Sequence, residues 1–303
     1  MKLLILGRHG QLATHLRALA PEAECWGRET LDLAGDAASI EQRLVQARPS
    51  AIINAAAYTA VDKAETERAA AWAVNVTAVA AVARAAEQLA VPLVHFSTDY
   101  VFDGQNTAPY APADPVAPLG VYGATKLAGE LAVATLCRSG WTLRTSWVFS
   151  EHGSNFVKTM LRLGAERSTL NVVSDQYGRP SYAGDLAVLA LRLVEAAKAG
   201  ALPHTPGLYH VGAGPVTTWY GFAQQIFDRA AALGLLTKTP QVQAIQTSAY
   251  PTPARRPLHA VLAPSTDFQA VLGGFPDWPD ALERTLSALA RGLECTDERQ
   301  PSA

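Results

Sequence analysis

The stretch LLILGRHGQLA (residues 3–13) decides the fold of this chain. Four apolar residues in a row predict a buried strand, and the glycines after them predict a tight turn into a helix over 11–19. Gly7 and Gly10 let backbone amides approach a pyrophosphate at the positive end of that helix. Glycine also favours ordinary strand–helix turns, but the position at the first strand–helix junction makes a dinucleotide site the better interpretation.

Beyond this stretch, short apolar runs alternate with longer, alanine-rich helical patterns. We predict buried strands over 3–6, 23–26, 51–55, 92–97 and 141–146. We predict the intervening helices over 11–19, 40–47, 69–89 and 122–136. Such alternation implies right-handed crossovers and a parallel sheet covered on both faces. The predicted fold class is therefore α/β, a Rossmann-like doubly wound parallel sheet with a smaller C-terminal substrate-binding lobe.

The second half of the chain is less regular and predicts an uneven division into domains. We expect the NADP-binding Rossmann domain to comprise residues 1–149 and about 183–213, and the substrate-binding lobe to comprise about 150–182 and 214–303. A helix and a strand that return to the sheet are predicted over 185–199 and 207–211. The predicted elements of the lobe are two helices, a proline-rich segment and a frayed tail, over 218–233, 279–293, 250–257 and 296–303.

Composition and charge exclude several classes of function. Of the 303 residues, 49% are hydrophobic and 17% charged, which fits a globular protein and argues against disorder. The net charge is −2 without a Lys/Arg run, which disfavours nucleic-acid binding because phosphate neutralisation requires a basic surface. Three scattered cysteines show no metal-ligand spacing and fit a reducing compartment. We find neither a charged leader nor a long apolar run, so we expect a cytoplasmic protein without a membrane segment.

The segment VYGATK (121–126), preceded along the chain by Thr98, carries the candidate acid–base chemistry. Tyr122 and Lys126 are four residues apart, so on a helix both side chains rise from one face. A free phenol has a pKa near ~10, and an ammonium one turn away favours the phenolate and lowers that value. The Thr98 hydroxyl can hold a carbonyl oxygen beside the tyrosine. A Tyr-x-x-x-Lys match alone is common on helix surfaces, but with Thr98 it indicates catalysis on a carbonyl or alcohol.

The residues after the second predicted strand bear on the choice of cofactor. An NAD-preferring site usually places a carboxylate there to bind the ribose 2′-hydroxyl, whereas this chain has Arg28 after Gly27. Arg28 can meet a 2′-phosphate, which favours NADPH, and a solvated surface arginine is the alternative interpretation. Asp32 and Leu33 can hold the adenine edge, and the small residues over 54–57 leave room for a cofactor across the sheet.

Eight motifs along the chain resemble one known family. They are GQL (10–12), NAAAYTAVDKAE (54–65), STDYVFDG (97–104), VYGATKLAGE (121–130), LRTSWVF (143–149), NFVKTM (155–160), DQYG (175–178) and TSAYPTPARRP (247–257). Through them the chain resembles the extended short-chain dehydrogenase/reductases and, among these, the dTDP-4-dehydrorhamnose reductases. Because the motifs span nearly the whole chain, the resemblance is far more specific than any one of them.

The resemblance implies a reductase in which NADPH, with NADH as an alternative donor, delivers hydride to the C4 ketone of dTDP-4-dehydro-L-rhamnose. Tyr122 is then the general acid that protonates the C4 oxygen, while Lys126 lowers the pKa of Tyr122 and bonds the nicotinamide ribose. Thr98 holds the carbonyl oxygen, Asp99 contacts sugar hydroxyls, and Trp147 packs against the hexose.

The resemblance also implies two sets of binding residues. The expected cofactor residues are Gly7, Gly10, Gln11, Leu12, Arg28, Asp32, Leu33, Ala56, Ala57, Tyr58, Thr59, Phe96, Tyr122 and Lys126. The expected substrate residues are Thr98, Asp99, Tyr122, Trp147, Asn155, Lys158 and Arg255. Of the adjacent Arg255 and Arg256, only one is expected to face the pocket.

No metal ligands are expected in this chain. Some relatives bridge a dimer through magnesium and a glutamate at position 15, where this chain has His15. The roles of Mg²⁺, and the choice between a monomer and a homodimer, therefore stay open at this stage.

Two other functions stay open from the sequence alone. An epimerase or dehydratase of the extended family keeps its NAD bound and returns the hydride, although dehydratases typically add a glutamate where Tyr100 stands here. A regulatory subunit of the methionine adenosyltransferase type shares the fold and binds NADP without catalysis. Such a module has no chemical need for Thr98, Tyr122 and Lys126 together.

Several other residues have structural interpretations. We expect four aromatic residues at helical spacings to lie in the core: Trp72, Trp219, Phe222 and Phe227. Arg144 is expected to pair either with a phosphate or with a protein carboxylate. Asn75 is expected either to order a water or to bond the backbone.

Overall fold

The order of strands and helices follows the alternation predicted from the sequence. The structure is a computed structural model and describes residues 2–201 and 206–297. Its strands are β1 Leu3–Leu6, β2 Glu24–Trp26, β3 Ala51–Asn54, β4 Leu93–Thr98, β5 Gly140–Thr145, β6 Val148–Phe149, β7 Thr169–Val173, β8 Tyr177–Gly178, β9 Ser181–Tyr182, β10 Gly207–His210, β11 Thr217–Thr218 and β12 Gln241–Ile245. Its helices are α1 Gln11–Leu19, α2 Ala37–Ala47, α3 Val61–Ala64, α4 Arg68–Trp72, α5 Ala78–Leu89, α6 Val121–Leu136, α7 Phe156–Glu166, α8 Ala183–Lys198, α9 Trp219–Ala232, α10 Thr266–Val271 and α11 Trp278–Asp297. A π-helical turn, Ala73–Thr77, joins α4 to α5 in one continuous helix.

Six strands form one parallel sheet in the order β10-β5-β4-β3-β1-β2. The chain runs outward from β1 in both directions, which is the doubly wound arrangement. The predicted α/β fold class is therefore confirmed. The carboxyl ends of β1, β3 and β4 lie along one edge of the sheet, where folds of this kind bind ligands.

Helices cover both faces of the sheet, and each face has its own apolar core. On one face α1 and α8 pack through Leu16 and Leu186. On the other face α2, α5 and α6 pack through Leu44, Val82 and Val133. Burial of each such side chain contributes roughly 1.5–3 kcal/mol, and the two layers together hold the carboxyl edge of the sheet in place.

A separate apolar cluster, the C-terminal core, lies among α7, α9 and α11. Its buried side chains include Val157, Phe222, Phe227 and Leu282, which confirms the core positions predicted for the two phenylalanines. The prediction for Trp72 is wrong, because its side chain is 51% exposed. The two-domain division stays a prediction, and the parts of it over 202–205 and 298–303 lie outside the described residues. α11 continues to Asp297, past its predicted end and into the predicted tail.

The helix over Arg68–Leu89 contradicts the expectation that the chain has no long apolar run. An 18-residue window within it has a mean hydropathy of 1.4. By length and composition, the helix is therefore long and apolar enough to cross a membrane. Half of that window is buried inside the protein. Its alanines, among them Ala81 and Ala85, pack in the core between α2 and α6. The apolar character of this helix is therefore that of a core helix.

Candidate active site

Gly7 makes the turn from β1 into α1, and the backbone there requires glycine. Its φ is +111°, and a Cβ would lie 3.3 Å from the carbonyl carbon of Ala55. The Gly7 N–H donates to the Trp26 carbonyl over 2.8 Å, which fixes the turn against β2. Gly10 precedes α1 and offers no side-chain cap, so the first amides of the helix can meet an anion.

A cavity of about 470 Å³, the smaller cavity, opens beside this turn. It brings together seven predicted cofactor residues: Gly7, Arg28, Asp32, Leu33, Ala56, Ala57 and Tyr58. The other seven do not lie on its wall: Gly10, Gln11, Leu12, Thr59, Phe96, Tyr122 and Lys126. The Gln11 amide instead accepts from Asn155 over 3.0 Å and donates to the Val148 carbonyl over 3.4 Å.

Two guanidinium groups line the smaller cavity. Arg28 pairs with Asp32 over 3.4 Å, and its side chain is 82% exposed. Arg8, which is not among the predicted cofactor residues, pairs with Glu29 over 2.8 Å. Exposed pairs of this kind are weak, so either arginine can exchange its carboxylate for a phosphate. The position of Arg8 inside the glycine turn was the signal that could have identified it.

Asn75, in the π-helical turn, holds the loop that follows β3. It is 1% exposed, accepts from the Tyr58 N–H over 2.9 Å and donates to the Tyr58 carbonyl over 3.1 Å. It also donates to the Thr125 hydroxyl over 3.1 Å. Of the two sequence interpretations, the bond to the backbone is the one observed. These bonds fix the cavity wall at Tyr58 relative to the helix that carries Lys126.

Gly123 lets α6 approach the turn that follows β4. A Cβ at this position would lie 2.1 Å from the Tyr100 carbonyl oxygen and 3.0 Å from Cβ of Pro118. The close approach brings the rings of Tyr100 and Tyr122 edge to face, with 5.5 Å between their centroids. Tyr122 therefore lies beside the carboxyl end of β4.

Thr98, Asp99 and Tyr122 meet at that end of β4. The Thr98 hydroxyl donates to Asp99 Oδ1 over 3.0 Å and lies close enough to Tyr122 to act on its phenol. Burial raises the pKa of Asp99 to about 7, although the bond from Thr98 acts in the opposite direction. Burial likewise raises the pKa of Tyr122 above its usual value, opposed by Thr98 and reinforced by the Asp99 charge. The phenol is therefore protonated at neutral pH.

Lys126 does not act on Tyr122 as the sequence predicted. Its ammonium donates to the Phe96 carbonyl over 2.6 Å and lies 3.4 Å from Nε2 of His95. Burial lowers the pKa of Lys126 to about 8, opposed by the charge of Glu130. The predicted lowering of the Tyr122 pKa is wrong for the chain by itself, because burial dominates and the Lys126 side chain is directed at the backbone of β4.

A second cavity, the larger cavity, has a volume of about 790 Å³ and lies among α7, β7, β12 and the start of α9. Its wall includes the apolar side chains Phe156, Met160 and Leu163. Its polar groups include those of Gln176 and Arg256. An apolar wall with a few fixed polar groups is typical of a small-molecule site.

Trp147 and Trp219 stack at the edge of this cavity. Their rings are parallel to within 10° with 3.6 Å between centroids, and Trp147 holds a φ of +48°. Trp219 lines the larger cavity and donates to the Gln176 amide oxygen over 3.1 Å. Trp219 is partly buried and packs against the C-terminal core, as predicted, but its position at the start of α9 also places it on the cavity wall, which its helical spacing could not show.

The adjacent arginines of the proline-rich segment differ in direction. Arg256 lines the larger cavity, pairs with Asp62 over 2.7 Å and donates to the Tyr100 hydroxyl over 3.1 Å. It therefore connects the cavity wall to the ring beside Tyr122. Arg255, the predicted substrate residue of the two, is exposed and does not belong to that wall.

Asn155 and Lys158 lie at the start of α7, outside the lining of the larger cavity. Asn155 caps the helix by accepting from the Lys158 N–H over 3.2 Å, and it donates to the Ser150 carbonyl over 2.6 Å. The Lys158 ammonium donates to the Glu151 carbonyl over 3.2 Å. Both side chains thus hold the loop and helix whose next turn forms the cavity wall.

His15 faces Glu151 and His152 rather than a set of oxygen ligands. Its Nε2 lies 2.9 Å from the Ser150 hydroxyl and 3.6 Å from the Glu151 carboxylate, which also accepts from Tyr182 over 3.1 Å. Mg²⁺ prefers oxygen ligands and retains several waters, whereas this cluster supplies two imidazoles and one carboxylate, and the His15 ring is already hydrogen-bonded to Ser150. The residues at position 15 and around it do not fit the magnesium site of the relatives.

Arg144 forms a buried ion pair and does not reach either cavity. It bonds both carboxylate oxygens of Glu130, over 2.8 and 2.6 Å, and lies over the Phe102 ring. Between the two sequence interpretations, the protein carboxylate is the observed partner. The pair fixes α6 against β5.

The doubly wound sheet, the glycine turn and the Thr98, Tyr122 and Lys126 set define an extended short-chain dehydrogenase/reductase. The family model described as RmlD substrate binding domain matches residues 1–291. The dTDP-4-dehydrorhamnose reductase of Shigella flexneri is 41% identical over 295 residues, which cover 95% of this chain and 98% of that protein. The chain belongs to the dTDP-4-dehydrorhamnose reductase family.

Solved structures agree with this assignment. The dTDP-4-dehydrorhamnose reductase of Bacillus anthracis, in complex with NADP, is 34% identical with a TM-score of 0.85, over 95% of this chain and 99% of that chain. The corresponding structure from Clostridium acetobutylicum is 32% identical with a TM-score of 0.85 and the same coverage. The family resemblance seen in the sequence motifs is confirmed.

Proposed function

We propose that this protein reduces the C4 ketone of dTDP-4-dehydro-L-rhamnose to dTDP-L-rhamnose with NADPH as the hydride donor. One observation carries the proposal: the Thr98 and Tyr122 hydroxyls meet at the carboxyl edge of the sheet, beside the Tyr100 ring that Arg256 connects to the larger cavity. The names of the relatives support the substrate, and the NADP complex of one relative supports the cofactor.

The residues of the smaller cavity fit NADPH. The open space at Gly10 and the absence of a side-chain cap leave the first amides of α1 free to meet a pyrophosphate. Arg8 and Arg28 offer guanidinium groups to a 2′-phosphate, and Ala56 and Ala57 leave space over the sheet. Bound NADPH supplies the hydride of the reaction. NADH is an alternative donor that lacks the 2′-phosphate and so cannot make these contacts with Arg8 and Arg28.

Thr98 and Tyr122 act where negative charge develops on the C4 oxygen. Two preplaced hydroxyl groups stabilise that oxygen more in the transition state than in the ketone. Tyr122 then gives its proton to the oxygen, and the raised pKa of its buried phenol keeps that proton available at neutral pH. The Thr98 hydroxyl has a single proton, so its bond to Asp99 is exchanged for one to the C4 oxygen, which leaves Asp99 able to accept from a sugar hydroxyl.

The larger cavity fits the nucleotide part of the substrate. Trp147 and Trp219 present a rigid stacked edge to the sugar, and Arg256 brings a guanidinium that can pair with a diphosphate. In this proposal Arg256 takes the role first expected of Arg255. Asn155 and Lys158 contribute indirectly, by holding the start of α7.

The remaining features of the proposal concern the whole molecule. We propose a Rossmann domain of residues 1–149 and about 183–213 and a substrate lobe of about 150–182 and 214–303. The protein acts in the cytoplasm on a small molecule, without a membrane or a nucleic acid as partner. It is a monomer or a homodimer, and no magnesium joins its copies through His15.

Purified protein, NADPH and dTDP-4-dehydrorhamnose test the function, with loss of nicotinamide absorbance and product formation as readouts. One NADPH should be consumed for each product, which distinguishes a reductase from an epimerase that returns its hydride. Tyr122→Phe should lower kcat by at least ~100-fold with little change in NADPH binding, whereas Tyr220→Phe should leave kcat unchanged. No consumption of NADPH would refute the proposed function.

A further inference from the structure

Three buried polar side chains that line neither cavity form a row that ends at Lys126. Asn54 ends β3, His95 lies beside it in register on β4, and Lys126 follows on α6. All three are at most 2% exposed. Asn54 Nδ2 lies 3.2 Å from His95 Nδ1, and His95 Nε2 lies 3.4 Å from Lys126 Nζ.

The backbone fixes the direction of the Asn54 amide. The Ala56 N–H donates to Asn54 Oδ1 over 3.2 Å, so the oxygen must face that amide. The Asn54 NH₂ group then faces His95 Nδ1, and because it can only donate, Nδ1 must accept. Reversing the amide would set two donors against each other at Ala56.

This arrangement selects one tautomer of His95. Burial lowers the pKa of His95 well below its usual value, and the nearby Lys126 charge lowers it further, so the ring is neutral. A neutral imidazole whose Nδ1 accepts carries its proton on Nε2. The Nε2–H therefore points at Lys126.

An N–H group directed at Lys126 favours the amine over the ammonium. An ammonium has no lone pair to accept from Nε2–H, whereas the neutral amine accepts from it and still donates to the Phe96 carbonyl. Glu130, one turn further along α6, favours the ammonium, but both its oxygens are held by Arg144 from β5. Tyr122, one turn earlier on α6, is a neutral phenol.

We propose that His95, held in one tautomer by Asn54, is a positioning residue that makes Lys126 a stronger acid than burial alone would make it. The effect on catalysis rests on the proposed function. Under that function the Lys126 ammonium bonds the nicotinamide ribose, the role that the family resemblance implies, so activity should fall at alkaline pH as Lys126 loses its proton. The neutral His95 and Asn54 then determine the pH at which activity falls.

The titration of Lys126 can be measured directly, by NMR of protein carrying isotopically labelled lysine, without substrate or cofactor. Lys126→Met assigns the signal. In His95→Gln the rotatable amide can present its oxygen to Lys126, so the pKa should rise by about one unit. Asn54→Asp should also raise it, because an acceptor at position 54 moves the imidazole proton to Nδ1 and turns the Nε2 lone pair toward Lys126.

Two further variants serve as controls. Thr142→Val alters the residue opposite His95 on β5 and should leave the Lys126 titration unchanged. The double variant Asn54→Asp/His95→Gln, compared with His95→Gln alone, measures the effect of the added charge on the Lys126 pKa without the imidazole. This difference should be smaller than the rise in the Lys126 pKa that Asn54→Asp produces by itself. Thermal unfolding of each variant shows that it is folded.

An unchanged titration of Lys126 in both His95→Gln and Asn54→Asp overturns the proposal. If one of the two does not fold, the other decides in the same way. In active enzyme, the alkaline fall in kcat/KM should move to higher pH by the same amount as the titration, and a fall in kcat without that movement would mean that His95 is merely structural. A shifted titration in a protein that never consumes NADPH supports the inference about His95 and refutes the proposed function.

Discussion

Substitution of Gly123 by alanine tests whether the contact between α6 and the turn after β4 sets the catalytic geometry. The added Cβ would lie 2.1 Å from the Tyr100 carbonyl oxygen, whereas ordinary contact begins at 3.4 Å. The helix and the turn must therefore separate by 3.4 − 2.1 = 1.3 Å. Because Tyr122 is on the helix and Thr98 is next to the turn, their hydroxyls separate too.

A misplacement of about 1 Å costs on the order of 100-fold in rate. We therefore expect Gly123→Ala to lower kcat/KM of NADPH-dependent reduction by roughly 100-fold, or about 3 kcal/mol of transition-state stabilisation. The smaller cavity lies elsewhere, so binding of NADPH, measured by fluorescence titration, should change little. Overpacking also costs ~1–3 kcal/mol of unfolding free energy, and the assay is run at a temperature where the variant is folded.

Gly212→Ala is the matched control. A Cβ at Gly212 would have its nearest neighbour, the Ser181 hydroxyl, at 4.0 Å, so the substitution should alter neither stability nor rate. Full activity in a folded Gly123→Ala variant would refute the reasoning. It would show that catalysis tolerates a larger separation between the Tyr122 and Thr98 hydroxyls.

Three further predictions follow from the ion pairs and the cofactor turn. Glu130→Gln leaves Arg144 buried without a charged partner and should lower the unfolding free energy by ~3–5 kcal/mol in urea; an unchanged midpoint would count against the pair. Burial raises the pKa of Glu151, but its interactions with His15 and other groups outweigh burial and lower the pKa to about 2, below the usual 4.5. The stability that the ionised carboxylate contributes is therefore fully present above pH 4.5 and is lost as the pH falls toward 2. Glu151→Gln should remove this acid dependence from thermal unfolding curves, and a curve like that of the wild type would contradict it. Arg28→Ala should raise KM for NADPH more than KM for NADH, and an equal rise would exclude a contact with the 2′-phosphate.

The first half of the fold could be predicted because its signals are local. An apolar run, a glycine turn and an amphipathic helix stand next to one another over residues 3–19, and β1 and α1 have the predicted bounds. The pairing of β7 with β12 was not predicted. Thr169 pairs with Gln241, 72 residues further along the chain, and no local pattern specifies a partner so distant.

The candidate site shows a similar division between residue identity and side-chain direction. The motifs identified Tyr122 and Thr98, which meet, but they could not show that Lys126 is directed at the β4 backbone. The same limit applies to Arg255 and Arg256, because neighbouring residues on an irregular segment have no periodicity that assigns one of them to a cavity. Packing against distant elements decides these directions, and that packing is absent from any short window of sequence.

The sixth strand of the sheet, β10, determines how this chain can be divided into fragments. β10 pairs with β5, with Gly207 opposite Trp141, so the sheet is closed by a segment that returns after the chain has built β6 to α8. A fragment that stops at residue 149 would leave β5, whose six residues are all buried, as a bare edge open to aggregation. The six-stranded sheet is complete only when two separate pieces of the chain come together. Any chimera that exchanges cofactor preference between relatives must graft both pieces together.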